Sequence, residues 1–138
     1  MAENYYLDTS IWLDIYEKRG KNGELAIAML DKLLKNEKSI FYSDIILTEL
    51  RNLGYSSLQI QDILKSVSSD SLEKVLISKD EIKESKVLAI KRKTPRGDVL
   101  HAILARNNDA ELITTDQHFL RLKDIKRSKS PGEVIQNL

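Results

Sequence analysis

Short apolar stretches alternate along the chain with longer segments whose apolar residues recur at helical spacing. Asn4-Tyr5-Tyr6-Leu7 is short and aromatic and predicts a strand that ends at Asp8. Asp8 or Thr9 then caps a helix running through Ile11-Trp12-Leu13 to about Lys18, with Gly20 and Gly23 punctuating its exit. From Glu24 to Lys35, the residues Leu25, Ala28, Met29 and Leu33 repeat at helical spacing, and lysines gather at the end that the helix dipole favours for cations. Ser39-Ile40-Phe41-Tyr42 predicts a second strand, and Ser43 or Asp44 opens a helix carrying Ile45, Ile46, Leu47, Glu49 and Leu50 until Gly54 stops it. Ser56-Ser57 caps a further helix through Val67, and Val75-Leu76-Ile77 predicts a third strand.

Lys79 to Lys93 reads as an exposed helix with one apolar stripe, and Thr94-Pro95 as the N-cap and first position of the next. Asp98 to Ala105 is apolar nearly all round, which predicts a buried helix. Glu111-Leu112-Ile113-Thr114 predicts a fourth strand, followed by Asp116 and a short helix through Phe119-Leu120. Strands alternating with helices imply an α/β fold with a small parallel sheet. Neither repeats nor linkers interrupt the 138 residues, so residues 1–138 are expected to form a single domain.

Composition narrows the function classes. The chain has no cysteine, which excludes disulfides and thiolate metal sites and fits a reducing cytoplasm. No apolar run approaches the ~20 residues of a membrane span, and no signal peptide opens the chain. With 22 basic and 21 acidic residues the net charge is only +1, so any contact with nucleic acid must be local. The early helices offer Trp12, Ile15, Tyr16, Leu25, Met29 and Leu33, more apolar surface than one small domain readily covers, which suggests a homodimer.

Four acids share a kind of position. Asp8 and Asp116 each follow an apolar strand, where the carboxyl ends of a parallel sheet form a ligand crevice. Glu49 and Asp98 sit on strongly apolar helices, where a lone carboxylate is costly to bury. Carboxylates held together need a compensating cation, and all-oxygen ligation selects Mg²⁺ or Mn²⁺ over zinc. Such ions serve phosphodiester hydrolysis without any His or Cys ligand. Taken singly, Asp8 and Asp116 could be N-caps, Asp98 could serve the helix dipole, and Glu49 could lie on a solvated edge.

Read in order, these segments resemble a PIN domain, the fold of VapC-type toxins and related endoribonucleases. The resemblance covers nearly the whole chain and rests on Leu7-Asp8-Thr9-Ser10, Ser43 through Glu49-Leu50, Gly97-Asp98-Val99-Leu100-His101-Ala102, and Thr114-Thr115-Asp116-Gln117-His118-Phe119. It implies a small parallel sheet sandwiched by helices and metal-dependent cleavage of single-stranded RNA. Asp8, Glu49, Asp98 and Asp116 would then bind Mg²⁺ or Mn²⁺, with Ser10 and Thr114 orienting carboxylates. A cognate antitoxin is the implied partner, its tail occupying the acidic pocket. A housekeeping RNA-processing nuclease shares the same acids, and a catalytically silent binding module shares the fold.

An aspartyl-phosphate enzyme would require a second Asp two places after Asp8, where this chain has Ser10. His101, one turn after Asp98, reads as a structural residue of the pocket wall, with a hydrogen bond near the site as the alternative. His118 reads as surface or packing. Lys91-Arg92-Lys93 with Arg96, and Arg121 through Lys129, read as solvated faces; the functional alternative is RNA phosphate contact, with Arg96 and Arg121 the candidates.

Overall fold

The tyrosine-rich segment near the start of the chain forms the central strand of a five-stranded, all-parallel sheet, whose strands run in the order Leu72–Lys74, Ser39–Tyr42, Asn4–Leu7, Glu111–Ile113, Ser128–Lys129. The computed structural model describes residues 2–138. Its strands are β1 (Asn4–Leu7), β2 (Ser39–Tyr42), β3 (Leu72–Lys74), β4 (Glu111–Ile113) and β5 (Ser128–Lys129). Between them run α1 (Thr9–Glu17), α2 (Gly20–Lys35), α3 (Asp44–Asn52), α4 (Ser57–Leu64), α5 (Lys79–Arg92) and α6 (Arg96–Asn107). A 3₁₀ helix, Gln117–Leu122, precedes β5, and α7 (Pro131–Gln136) follows it.

Successive residues of a strand point to opposite faces. Tyr5, Tyr6 and Leu7 are nevertheless all buried, so helices cover both faces of β1, as a parallel sheet requires. The core runs through Tyr6, Leu7, Ile11, Trp12, Met29, Leu33, Ile103 and Phe119. No described helix is long and apolar enough to cross a membrane.

The third strand lies three residues earlier than the expected Val75–Ile77, because pairing to β2 begins with Leu72 opposite Ile40. Val75 still donates its N–H to Tyr42 at 2.8 Å, but Leu76 points into solvent and Ile77 is only half-buried. Pro95 stands at the N-cap of α6, not at its first position, and its extended ψ of 135° turns the chain into the helix. The hydroxyl of Thr94 is spent on the carbonyl of Arg92 at the end of α5, 3.2 Å away.

The apolar surface that argued for a homodimer lies mostly inside one chain. Trp12, Ile15, Met29 and Leu33 are buried, and α7, which hydrophobic periodicity does not predict, packs against α2. Tyr16 is half-buried, edge-on to Tyr55. Leu25 alone of the set is exposed.

Candidate active site

The sheet changes direction of growth at β1, which has β2 on one side and β4 on the other. In open α/β sheets the crevice outside the strand ends at such a switch point is where ligands bind. Asp8 emerges from β1 at this place, its backbone N–H still held by Ile113 of β4 at 3.1 Å. The same residue caps α1: Oδ1 accepts from the Ile11 N–H at 3.1 Å and from the Ser10 hydroxyl at 2.7 Å. Its other oxygen, Oδ2, accepts from the Thr114 hydroxyl at 2.6 Å. Thr114 Oγ1 in turn accepts from the Asp116 backbone N–H at 3.0 Å. One buried hydroxyl therefore ties the first acid to the segment bearing the last. Asp116 caps the 3₁₀ helix through the His118 N–H at 2.9 Å, and exposed His118 brings Nδ1 to 3.1 Å from the same carboxylate oxygen.

Glu49 reaches the crevice from α3, and Asp98 from the first turn of α6. Glu49 Oε1 accepts from the Thr9 hydroxyl at 2.5 Å and from His101 Nε2 at 2.7 Å. A carboxylate only accepts, so Nε2 carries a hydrogen, and the other ring nitrogen, Nδ1, meets the Tyr6 hydroxyl at 2.7 Å. The Tyr6 oxygen meets the Ser43 hydroxyl at 2.7 Å, completing a chain of buried groups that ends on Glu49. His101 thus takes the second of its two sequence readings: it is bonded into the site as well as packed in its wall. At Gly97 a Cβ would come within 2.6 Å of Glu49 Oε2, so the absence of a side chain there leaves room for the carboxylate.

Asp8, Glu49, Asp98 and Asp116 all line one cavity of about 470 Å³, together with Thr9, Ser10, His101, Arg19 and Asn52 and an apolar rim of Leu13, Leu53 and Phe119. Its electrostatics are those of crowded acids. Burial pushes the Asp8 carboxyl up, against the hydrogen bonds of Thr114 and Ser10. Burial also raises Asp98; His101 opposes it, while the charges of Asp116, Glu49 and Asp8 raise it further. For Glu49 burial acts upward too, but the His101 and Thr9 bonds and the His101 charge outweigh it, leaving the carboxyl below its ordinary range.

The chain matches the PIN domain family model over residues 5–125. The chain belongs to the PIN domain family. Among solved structures, this PIN domain is similar to the VapBC2 complex of Rickettsia felis bound to a DNA fragment from its promoter, with 24% identity and a TM-score of 0.69 over 92% of this chain and 98% of that one. It is also similar to a toxin–antitoxin complex from Klebsiella pneumoniae, with 23% identity and a TM-score of 0.57 over 83% and 89% of the two chains. A protein from Pyrobaculum aerophilum shares 17% identity at a TM-score of 0.57, over 99% and 97%. At these identities the likeness is one of fold. No curated protein matches the chain.

Within the PIN domain, the expected acids and Ser10 line the cavity and buried Thr114 holds Asp8 from outside it, whereas Arg96 and Arg121 are exposed and do not line it. The four carboxylates supply the all-oxygen donor set that a hard divalent cation takes. Among the described residues no three acidic or histidine side chains close on a single point: Asp8, Glu49 and Asp116 are each held by their own hydroxyl, amide or imidazole donors, and the four carboxylates repel one another. Thr9, Gly97, Arg19 and the Tyr6–Ser43 pair belong to the site without having been singled out from the sequence. A signal existed for Thr9, next to Ser10 in the strand-end motif; Gly97 shows its purpose only against a helix distant in sequence.

Proposed function

We propose that this PIN domain, occupying residues 1–138, is a metal-dependent endoribonuclease that hydrolyses phosphodiester bonds in single-stranded RNA, and that it is the toxin of a VapBC-type pair. The observation that carries the reading is the convergence of four carboxylates, from four separate segments, in one cavity at the switch point of the sheet. Proteins of this family are nucleases, and the toxin–antitoxin complexes that share the fold favour an antitoxin as partner.

Asp8, Glu49, Asp98 and Asp116 would hold Mg²⁺ or Mn²⁺. Bound there, such an ion would supply Lewis-acid charge and a water made nucleophilic near neutral pH. The chain's own residues prepare that chemistry. Ser10 and Thr114 fix both oxygens of Asp8, so its carboxylate does not rotate. His101 and Thr9 hold Glu49 ionised and aimed, and the buried Tyr6–Ser43 hydroxyls fix the tautomer and plane of His101. Leu13, Leu53 and Phe119 keep one side of the cavity apolar, which strengthens the charge interactions inside it.

Purified protein is expected to cut single-stranded RNA with Mg²⁺ or Mn²⁺ and to stop in excess EDTA, with double-stranded RNA cut far more slowly. Undiminished cleavage in EDTA would overturn the metal-dependent reading. A subtler expectation concerns Gly97→Ala. In a helix the change gains up to about 1 kcal/mol of propensity, so melting should hold or rise. The new methyl displaces the flexible end of Glu49, however, and cleavage should fall about tenfold or more, since misplacement of the order of 1 Å costs up to about a hundredfold. Wild-type cleavage by this variant would show that the position of Glu49 Oε2 is immaterial.

A further inference from the structure

We propose that Arg19 is a phosphate-binding residue of the acid cavity, gripping the RNA backbone beside the carboxylates; the inference rests on the nuclease reading above. Among the described residues Arg19 is the one lysine or arginine that lines the cavity. A pocket of carboxylates repels a polyanion, and the chain's net charge of +1 offers no general attraction to offset it. A local cation at the wall is what such a site lacks.

The turn that carries Arg19 is tightly packed. Lys18 and Gly20 on either side both adopt left-handed backbone, with φ of 53° each. Gly23 packs so tightly beneath them that a Cβ there would meet the Lys18 carbonyl carbon at 2.6 Å, and its N–H is bonded to the Arg19 carbonyl at 2.7 Å. A left-handed lysine is strained and persists only because the packing around it imposes that conformation on the turn.

The side chain is oriented in the same way. Nε donates to Asp14 Oδ1 at 3.1 Å, and Nη2 lies 3.0 Å from the same oxygen of that buried carboxylate. Glu17, which accepts from the Tyr55 hydroxyl, stands 3.8 Å from Nε. Neutralising Asp14 explains one edge of the guanidinium. The other edge is uncommitted: Nη1 has no hydrogen-bond partner among the described residues, and the side chain is 47% exposed. Guanidinium has five N–H donors, so a pre-oriented free edge with two or more of them suits a phosphate.

The test measures binding of a short fluorescent single-stranded RNA across a range of salt, with Asp8→Asn as the background so that nothing is cut. Adding Arg19→Ala is expected to weaken binding about tenfold or more, as loss of a charged hydrogen bond does, and to flatten the slope of log Kd against log salt by about 0.7. Arg19→Lys should keep the slope and recover part of the affinity. In the otherwise wild-type protein, Arg19→Ala should raise KM with kcat within about threefold, because the contact is made equally before and during reaction. A merely structural Arg19 would lower the melting temperature and leave the salt slope alone. Unchanged Kd and slope in Arg19→Ala would overturn the assignment. A wild-type protein that neither cuts nor binds RNA would instead overturn the nuclease reading beneath it.

Discussion

Asp8→Asn is expected to slow RNA cleavage by about a thousandfold or more while the protein folds as well as before, or better. Asn is as good an N-cap as Asp, so the bond from the Ile11 N–H survives at Oδ1. Ser10 can still donate to that oxygen, and the Thr114 hydroxyl, which now donates to Oδ2, can accept from the new amide through a free lone pair. Burial holds the Asp8 carboxyl above its ordinary range, so the native protein carries a charge it is reluctant to carry, and the substitution removes that penalty. What is lost is charge at the phosphate: a thousandfold corresponds to about 4 kcal/mol of barrier, within what one metal-binding carboxylate contributes. Cleavage rates and thermal melts of the same preparation separate the two roles. A variant that cuts RNA normally would leave Asp8 a cap and nothing more.

Mg²⁺ should raise the melting temperature of the wild-type protein strongly and that of Asp98→Asn far less. A ligand at about 100 times its dissociation constant adds ~2.7 kcal/mol to the folded state, roughly 5–15 °C for a chain of this size. In metal-free protein the ranking reverses, and pH controls it. The folded carboxyl of Asp98 is raised, by burial and by Asp116, Glu49 and Asp8. Its contribution to stability is therefore fully present below the unfolded carboxylate value and is lost as pH rises through the folded one. At neutral pH the metal-free wild type should melt below Asp98→Asn, and the gap should close on acidification through the carboxylate range. The helix dipole favours Asp at this first-turn position by about 0.3–1 kcal/mol, and the upward direction of the shift shows that burial, with the neighbouring acids, outweighs it. Melts of both proteins across pH, with and without Mg²⁺, give the answer; a wild type indifferent to Mg²⁺ would remove the metal site.

The buried strands and the acids that follow them were legible because burial on both faces leaves continuous apolar runs, as in Tyr5-Tyr6-Leu7 and Leu112-Ile113. The edges were not. β3 pairs through Leu72-Glu73-Lys74, two of them exposed, while the neighbouring Val75, Leu76 and Ile77 look more strand-like than the residues that pair. β5 is two polar residues held by β4, with no hydrophobic signal at all. α7 did leave a mark: Ser130-Pro131-Gly132-Glu133 carries both the capping box and the proline that open it.

At the site the acids could be named from their position after strands and on apolar helices, but their partners could not. Helical spacing puts His101 on the face of Asp98, yet its bonds go to Glu49 and Tyr6, 52 and 95 positions away. Arg19 looked like part of a helix exit because its partner Asp14 and its cavity become visible only once α1 and α2 fold back on each other.

The Thr114 hydroxyl reaches Asp8 across 106 positions of chain. During synthesis Asp8, Glu49 and Asp98 all leave the ribosome before β4 does, but until then β1 has an open edge and Asp8 Oδ2 has no donor. Until β4 docks, the cavity therefore lacks both Asp116 and the hydroxyl that fixes Asp8. Closure of the acid cavity is thus coupled to the docking of β4 against β1, a long-range and late step of folding.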